Sequence, residues 1–303
     1  MLKLWRRPLW LVCGLLTVGP GVVIPAAQES IATFRSRINY VSMTAVVRDR
    51  QGRSVRSLAR DDFRVVDAGQ SRSIVDVRSE ASAPASIALL IDGSGSMRLG
   101  GADAASVRIS EAVLRSLDAR RDEAALFTFD RRLITLEDFT GDLGAVRRSL
   151  RDVESWGSTS LFDAIGGTAG IVATKTENRR AVVVFTDGAD NASAYSPDEI
   201  AAAASAIDVP VYVFAVGASY GETVHVDAPL AELARLTGGA FYRAHDALSE
   251  ASAIRALVDE LRHQYVLSFE SAELHGWHAV EVTTRDRTLR VRTRRYYHAA
   301  PSE

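Results

Sequence analysis

Residues 86–96 read S-I-A-L-L-I-D-G-S-G-S, an apolar run followed at once by a polar loop that contains two glycines. Two further unbroken apolar runs lie at Ala181–Phe185 and Val211–Val216. Short runs of this kind are typical of strands that helices cover on both faces, as in parallel sheets. The pattern therefore predicts a buried central strand at Ile87–Ile91 whose carboxyl end opens into a polar loop.

Helical patterns separate these runs. Ala124–Phe129 and Arg132–Leu136 lie close enough along the chain to form a hairpin. Alternating strands and helices predict an α/β domain over residues 86–263, with a doubly wound, mostly parallel sheet. The predicted helices lie at 104–118, 142–153, 162–174, 197–206, 229–236 and 246–262.

Shorter β patterns flank this domain. Residues 33–79 contain Val- and Thr-rich runs separated by turn signals, and residues 264–298 return to strand patterns. We expect these two small β regions to pack together beside the α/β domain. The alternating segment 288–294 carries three arginines, which we interpret as the solvated face of an edge strand, with an anion-binding surface as the alternative. These arginines are Arg290, Arg292 and Arg294.

The N-terminus has the pattern of a secretory signal peptide. Three basic residues precede an apolar stretch that runs from Pro8 to about Ala26. Gly19–Gly21 and Pro25 would interrupt a membrane-spanning helix, so we predict cleavage of residues 1–26 rather than their retention as an anchor. We therefore expect an exported protein, periplasmic or secreted, that contacts a membrane only if this segment stays uncleaved.

The composition narrows the possible functions. The 303 residues include 36 Lys and Arg against 38 Asp and Glu, so the formal charge of −2 gives no electrostatic reason to bind nucleic acid. A hydrophobic content of 47% matches an ordinary globular protein. The single cysteine, Cys13, excludes a multi-cysteine metal cage and an intramolecular disulfide.

Three polar segments supply oxygen ligands around the predicted sheet. Asp92, Ser94 and Ser96 follow the first apolar run, Thr159 lies in a loop that leads into a helix, and Asp187 follows a later apolar run. Open α/β sheets bind ligands beyond the carboxyl ends of their strands, so we expect these side chains at one edge. Hard oxygens without His or Cys favour Mg²⁺, Mn²⁺ or Ca²⁺ over zinc or copper.

The D-x-S-x-S pattern at residues 92–96, followed by a Thr and then an Asp, resembles the metal-ion-dependent adhesion site of von Willebrand factor A (VWA) domains. The resemblance covers roughly residues 86–263. Segments 44–52 and 58–65 are similar to the leader module of secreted bacterial "VWFA-related" proteins, and 291–297 resembles the end of that family. The resemblance implies a VWA fold and a binding role.

The resemblance also implies a role for each predicted ligand. Ser94 and Ser96 would contact the metal directly, and Asp92 and Asp187 would often act through water. Thr159 would enter or leave direct contact as the site changes state. An ion held in this way stays electron-poor and accepts a carboxylate from a partner.

These observations predict an exported, non-enzymatic binding or adhesion protein, with no catalytic residues, whose cation binds an acidic group of a protein or matrix partner. One alternative is a Mg²⁺-dependent phosphohydrolase that uses Asp92 as nucleophile. Such enzymes resemble a D-x-D pattern, where this chain has Ser94, and they need a downstream lysine, for which only Lys175 is available. Another alternative is a structural VWA scaffold without a specific ligand. Trp156, near the Thr159 loop, is interpreted as a packed aromatic residue, with a place on the ligand surface as the alternative.

Overall fold

The computed structural model describes residues 40–79, 81–157, 160–175, 179–188, 207–217, 224–271 and 275–299. The predicted signal segment, the predicted helix at 197–206 and Thr159 lie outside the described residues. No helix in the described part of the chain is long and apolar enough to cross a membrane.

The strands and helices are numbered along the described chain. The strands are β1 (Tyr40–Arg48), β2 (Phe63–Asp67), β3 (Gln70–Arg72), β4 (Ile74–Arg78), β5 (Ala85–Asp92), β6 (Glu123–Phe129), β7 (Leu133–Thr140), β8 (Arg179–Thr186), β9 (Val211–Val216), β10 (Phe241–Ala244), β11 (Tyr265–Glu270), β12 (Gly276–Thr284), β13 (Arg290–Thr293) and β14 (Tyr296–Ala299). The helices are α1 (Ala102–Ser116), α2 (Leu143–Ser149), α3 (Leu161–Ala173), α4 (Val224–Leu236) and α5 (Ala247–His263), with short 3-10 turns at Arg60–Asp62, Gly95–Gly101 and Leu150–Asp152.

A six-stranded sheet with the order β10-β9-β8-β5-β6-β7 forms the centre of the α/β domain. Strand β5 is buried along its whole length and runs parallel to both neighbours, β6 and β8. Strand β7 alone runs antiparallel, as the hairpin partner of β6. The predicted doubly wound, mostly parallel sheet is confirmed.

Helices cover both faces of this sheet, and alternate residues of β5 pack against the helices on opposite sides. Ile87, Leu89 and Ile91 join one core with side chains from α1, α2 and α5. Ala88 and Leu90 join the other core with side chains from α3 and α4. Helix α4 begins at Val224, five residues before the predicted start at residue 229. Pro229 therefore lies inside the helix and not in its first turn, where proline is most common.

Strands from both ends of the described chain form two further sheets. One has the order β13-β1-β11-β4 and the other β14-β12-β2-β3. Strand β1 pairs antiparallel with β11 and β13, while β12 pairs antiparallel with β2 and β14. The two sheets enclose one core that includes Val47, Phe63, Tyr265, Phe269 and Tyr297. Residues 40–78 and 265–299 therefore share both sheets and a single apolar core.

The carboxylate of Asp67, on β2, contacts side chains from the other three strands of the second sheet. Tyr297 donates its hydroxyl to Asp67 Oδ2 at 2.9 Å, and His278 Nδ1 lies 3.1 Å from Asp67 Oδ1. Arg72 Nε lies 3.4 Å from the same carboxylate. Asp67, His278 and Tyr297 are all buried. A buried carboxylate needs such partners, so this group fixes how β2, β12 and β14 lie together.

Two of the three arginines in the alternating C-terminal segment contact the α/β domain. Arg292 forms an ion pair with Glu260 on α5, and Arg294 forms one with Asp208. Arg292 Nε also donates to the carbonyl of Gly238 at 3.2 Å, just beyond α4. The interpretation as a solvated face is therefore wrong for Arg292 and Arg294, because β13 lies against the α/β domain.

Candidate metal site

Asp92 and Thr186 are the last residues of the adjacent parallel strands β5 and β8. Thr186 donates its hydroxyl to Asp92 Oδ2 at 2.6 Å, and the backbone N–H of Ser94 donates to Asp92 Oδ1 at 2.8 Å. Both oxygens of the carboxylate are therefore held in place. Thr186 was not among the predicted site residues. The sequence feature that indicates Thr186 is its position at the end of an apolar run, directly before Asp187.

The two serines of the loop after β5 present their hydroxyls side by side. The Oγ atoms of Ser94 and Ser96 are 3.0 Å apart. Adjacent ligands of an octahedral Mg²⁺ with bonds of about 2.1 Å are themselves about 3 Å apart. Ser94 is buried and Ser96 is half-buried. The spacing of the two hydroxyls thus fits a pair of neighbouring ligands on a small, hard cation.

Backbone hydrogen bonds fix this loop against the segment that precedes Thr159. The N–H of Gly93 donates to the carbonyl of Phe129 at 2.7 Å, and the carbonyl of Gly93 accepts from the N–H of Trp156 at 2.9 Å. The N–H of Gly95 donates to the carbonyl of Gly157 at 3.0 Å. A side chain on Gly93 would place its Cβ 2.9 Å from the carbonyl oxygen of Phe129, so this close approach requires glycine.

The two remaining predicted ligands have different outcomes. Thr159 lies outside the described residues. The next residue along the chain, Ser160, donates its backbone N–H to the carbonyl of Asp130 at 2.9 Å. Asp187 follows Thr186 and is half-buried. The structure therefore brings Asp92, Ser94 and Ser96 together and places Asp187 at the same edge of the sheet.

The environment of Asp92 disfavours its negative charge. The pKa of Asp92 is raised to about 6, chiefly by burial and to a smaller extent by the charge of Asp187, against the lowering effect of hydrogen bonds from Thr186 and Ser94. A cation beside the carboxylate would oppose the effect of burial. No group of three or more His, Cys, Asp or Glu side chains is arranged for a metal within the described residues. Any ion bound here would therefore depend on hydroxyl oxygens as much as on carboxylates.

Replacing Asp92 by asparagine should stabilise the metal-free protein above about pH 6. The folded-state pKa of Asp92 is raised from 3.8 to about 6, so the folded protein binds more protons than the unfolded chain between these values. The contribution of Asp92 to stability is then lost as the pH rises through that window, by about 3 kcal/mol in total. Asparagine carries no charge and escapes this loss.

The measurement is the free energy of unfolding in urea, with a chelator present, for the wild type and Asp92→Asn. The advantage of the variant should grow by about 3 kcal/mol between about pH 4 and pH 7. A difference between the two proteins that stays constant across this range would contradict the account of Asp92.

Residues 87–189 match the family model of the von Willebrand factor type A domain, and this range includes all five predicted ligands. The chain contains a VWA domain. Its fold is similar to that of a von Willebrand factor type A protein from Catenulispora acidiphila, with a TM-score of 0.50, 12% identity, and coverage of 88% of this chain and 76% of that one. At this identity the likeness concerns the fold alone.

Two other solved structures show weaker likeness to the VWA domain. The conserved hypothetical protein BatB from Bacteroides thetaiotaomicron has a TM-score of 0.46 and 17% identity, over 57% of this chain and 97% of that one. The vWF domain of the type V pili tip protein Mfa5 from Porphyromonas gingivalis has a TM-score of 0.32 and 24% identity, over 36% of this chain and 39% of that one. No curated protein matches the sequence.

Proposed function

We propose that the VWA domain binds one divalent cation and uses it to hold an acidic group of a protein or matrix partner. The proposed ligands are Asp92, Ser94, Ser96, Thr159 and Asp187, and the proposed ion is Mg²⁺, with Mn²⁺ or Ca²⁺ as substitutes. The observation that carries the proposal is the fixed carboxylate of Asp92 beside two hydroxyls that lie 3.0 Å apart.

The chemistry of these ligands favours a binding role. Serine and threonine hydroxyls are neutral, so Asp92 and Asp187 are the two negative charges of the proposed set. A divalent ion held mainly by neutral oxygens attracts a further anionic ligand, which a partner carboxylate would supply. Domains of this family are generally protein-interaction modules, which agrees with that role.

The position of Lys175 argues against the phosphohydrolase alternative. Lys175 Nζ lies 3.1 Å from Glu123, the first residue of β6, whereas Asp92 pairs with Phe129 at the other end of that strand. Glu123 and Phe129 are six residues apart along β6, which corresponds to roughly 20 Å. Asp92 is also 0% exposed, and both its oxygens accept hydrogen bonds. Asp92 is therefore not a free nucleophile, and Lys175 does not lie close to it. We propose a non-enzymatic role.

Export remains part of the proposal and rests on the signal-like pattern of residues 1–26. A periplasmic or secreted protein would meet its partner in the cell envelope or outside the cell. Capture experiments should therefore use envelope and extracellular fractions of the host.

The test is retention of partners on immobilised protein in Mg²⁺ and in EDTA, with Asp92→Ala beside the wild type. We expect retention in Mg²⁺ that EDTA and Asp92→Ala both abolish. Asp61→Ala is the matched control, because it removes the same group from a side chain that is 76% exposed on the flanking β region. Binding that persists in EDTA would overturn the metal-dependent role and favour the structural scaffold.

A further inference from the structure

Trp156 lies on the surface beside the candidate metal site. Its side chain is 75% exposed, so the interpretation as a packed aromatic residue is wrong. The backbone N–H of Trp156 donates to the carbonyl of Gly93, which lies between Asp92 and Ser94. This hydrogen bond fixes the aromatic residue against the loop that carries the two serine hydroxyls.

Arg98 stacks on this exposed ring. Its guanidinium carbon lies 4.1 Å from the centroid of the Trp156 ring, and its side chain is also exposed. Arg98 belongs to the 3-10 turn Gly95–Gly101, two residues after Ser96. Within the described part of the chain, Arg98 has no carboxylate as an ion-pair partner. A guanidinium that stacks on an aromatic face keeps its N–H edge available for a planar anion.

The stacked pair borders an open cleft of about 680 Å³ between the start of α1 and the loop before Thr159. The cleft is also lined by the charged side chains of Asp103, Arg108, Glu111, Arg151 and Glu154, of which Arg108 and Glu111 form ion pairs within the protein. Arg108 contacts Glu250 through two hydrogen bonds, and Glu111 pairs with Arg115. Arg98 is an exposed positive group at this rim, two residues along the chain from the proposed ligand Ser96.

We infer that Arg98, held in place by Trp156, binds a second carboxylate of the partner, so that the site recognises a segment with two acidic residues. This inference rests on the proposed function, because the first carboxylate is the one at the cation. In an extended partner segment, side chains two residues apart point the same way and are about 7 Å apart. Ser96 and Arg98 are two residues apart in a turn that rises about 2 Å per residue, so the long side chain of Arg98 starts from a backbone position close to that of Ser96.

The test uses three synthetic peptides and the full protein in Mg²⁺. The peptides carry the cores Asp-Gly-Asp, Asp-Gly-Asn and Asn-Gly-Asn, and calorimetry gives their affinities. We expect the wild type to bind Asp-Gly-Asp roughly fivefold more tightly than Asp-Gly-Asn, the effect of one well-placed exposed ion pair. We expect no binding of Asn-Gly-Asn.

Variants separate the roles of the two residues. Arg98→Gln should make the affinities for Asp-Gly-Asp and Asp-Gly-Asn equal, while the affinity for Mg²⁺ itself stays unchanged. Trp156→Ala should reduce the preference for two acids, and Trp156→Tyr, which keeps an aromatic face under the guanidinium, should retain most of it.

The outcomes distinguish this inference from the proposed function. A wild type that binds Mg²⁺ and both acidic peptides equally, or a preference that survives Arg98→Gln, overturns the role of Arg98 and leaves the metal site intact. Failure of all three peptides to bind at millimolar concentration also overturns it. Failure of the wild type to bind Mg²⁺ overturns the proposed function itself.

Discussion

Asp92→Ala should weaken Mg²⁺ binding by more than about 100-fold in calorimetric titrations, while the α/β domain stays folded. The variant removes a carboxylate that Thr186 and the backbone of Ser94 hold at the end of β5. Loss of a group that merely orients a metal ligand costs about 10- to 100-fold in affinity, and loss of a charged group of the site itself should cost more.

A second variant tests the same site without removing a proposed ligand. Thr186→Val keeps the shape of the side chain but deletes the hydroxyl that donates to Asp92 Oδ2. We expect Mg²⁺ affinity to fall by about 10-fold, because the carboxylate then loses one of its two fixed partners. Asp61→Ala should bind Mg²⁺ like the wild type. Unchanged affinity in Asp92→Ala would show that this edge of the sheet is not the metal site.

Glu260→Ala should lower the free energy of unfolding by about 3–5 kcal/mol. Glu260 is 2% exposed, and its carboxylate accepts from Arg48 on β1 at 2.7 Å and from Arg292 on β13. Burial and then the charge of Glu260 raise the pKa values of both Tyr212 and Tyr242, which lie near this carboxylate. Removing it leaves two partly buried arginines without their shared carboxylate.

Urea unfolding followed by circular dichroism measures this effect. Glu111→Ala is the matched control, because its ion pair with Arg115 is exposed on the surface of α1 and should contribute less than about 1 kcal/mol. A loss of stability for Glu260→Ala no larger than for Glu111→Ala would contradict the view that this carboxylate joins the α/β domain to the flanking sheets.

The sequence pattern predicts the central sheet well because its signal is local. Ile87–Ile91 and Ala181–Phe185 are unbroken apolar runs, and their burial on both faces requires such runs. The rule that ligands bind at the carboxyl ends of parallel strands then places Asp92 and Asp187 at one edge. Local pattern and general topology together were enough to predict that Asp92 and Asp187 lie at the same edge of the sheet.

Other features depend on contacts between residues far apart in the chain, which no local pattern encodes. The hydrogen bond from Thr186 to Asp92 requires knowing that β8 is the neighbour of β5. The alternation around Arg292 is the same whether its arginines face solvent or a partner, and only the packing of β13 near Glu260 decides between them. The exposure of Trp156 likewise follows from the path of its loop rather than from its residue type.

Strand β1 lies near the edge of the central sheet where its parallel strands begin. Ser42–Thr44 line a cleft together with Arg179 and Pro210, at the starts of β8 and β9, whereas Asp92 lies at the far end of the neighbouring parallel strand β5. Tyr40, where β1 begins, therefore sits on the side remote from the serine hydroxyls. A large ligand seated at Asp92 would thus approach the protein from the end of the sheet opposite to the start of β1.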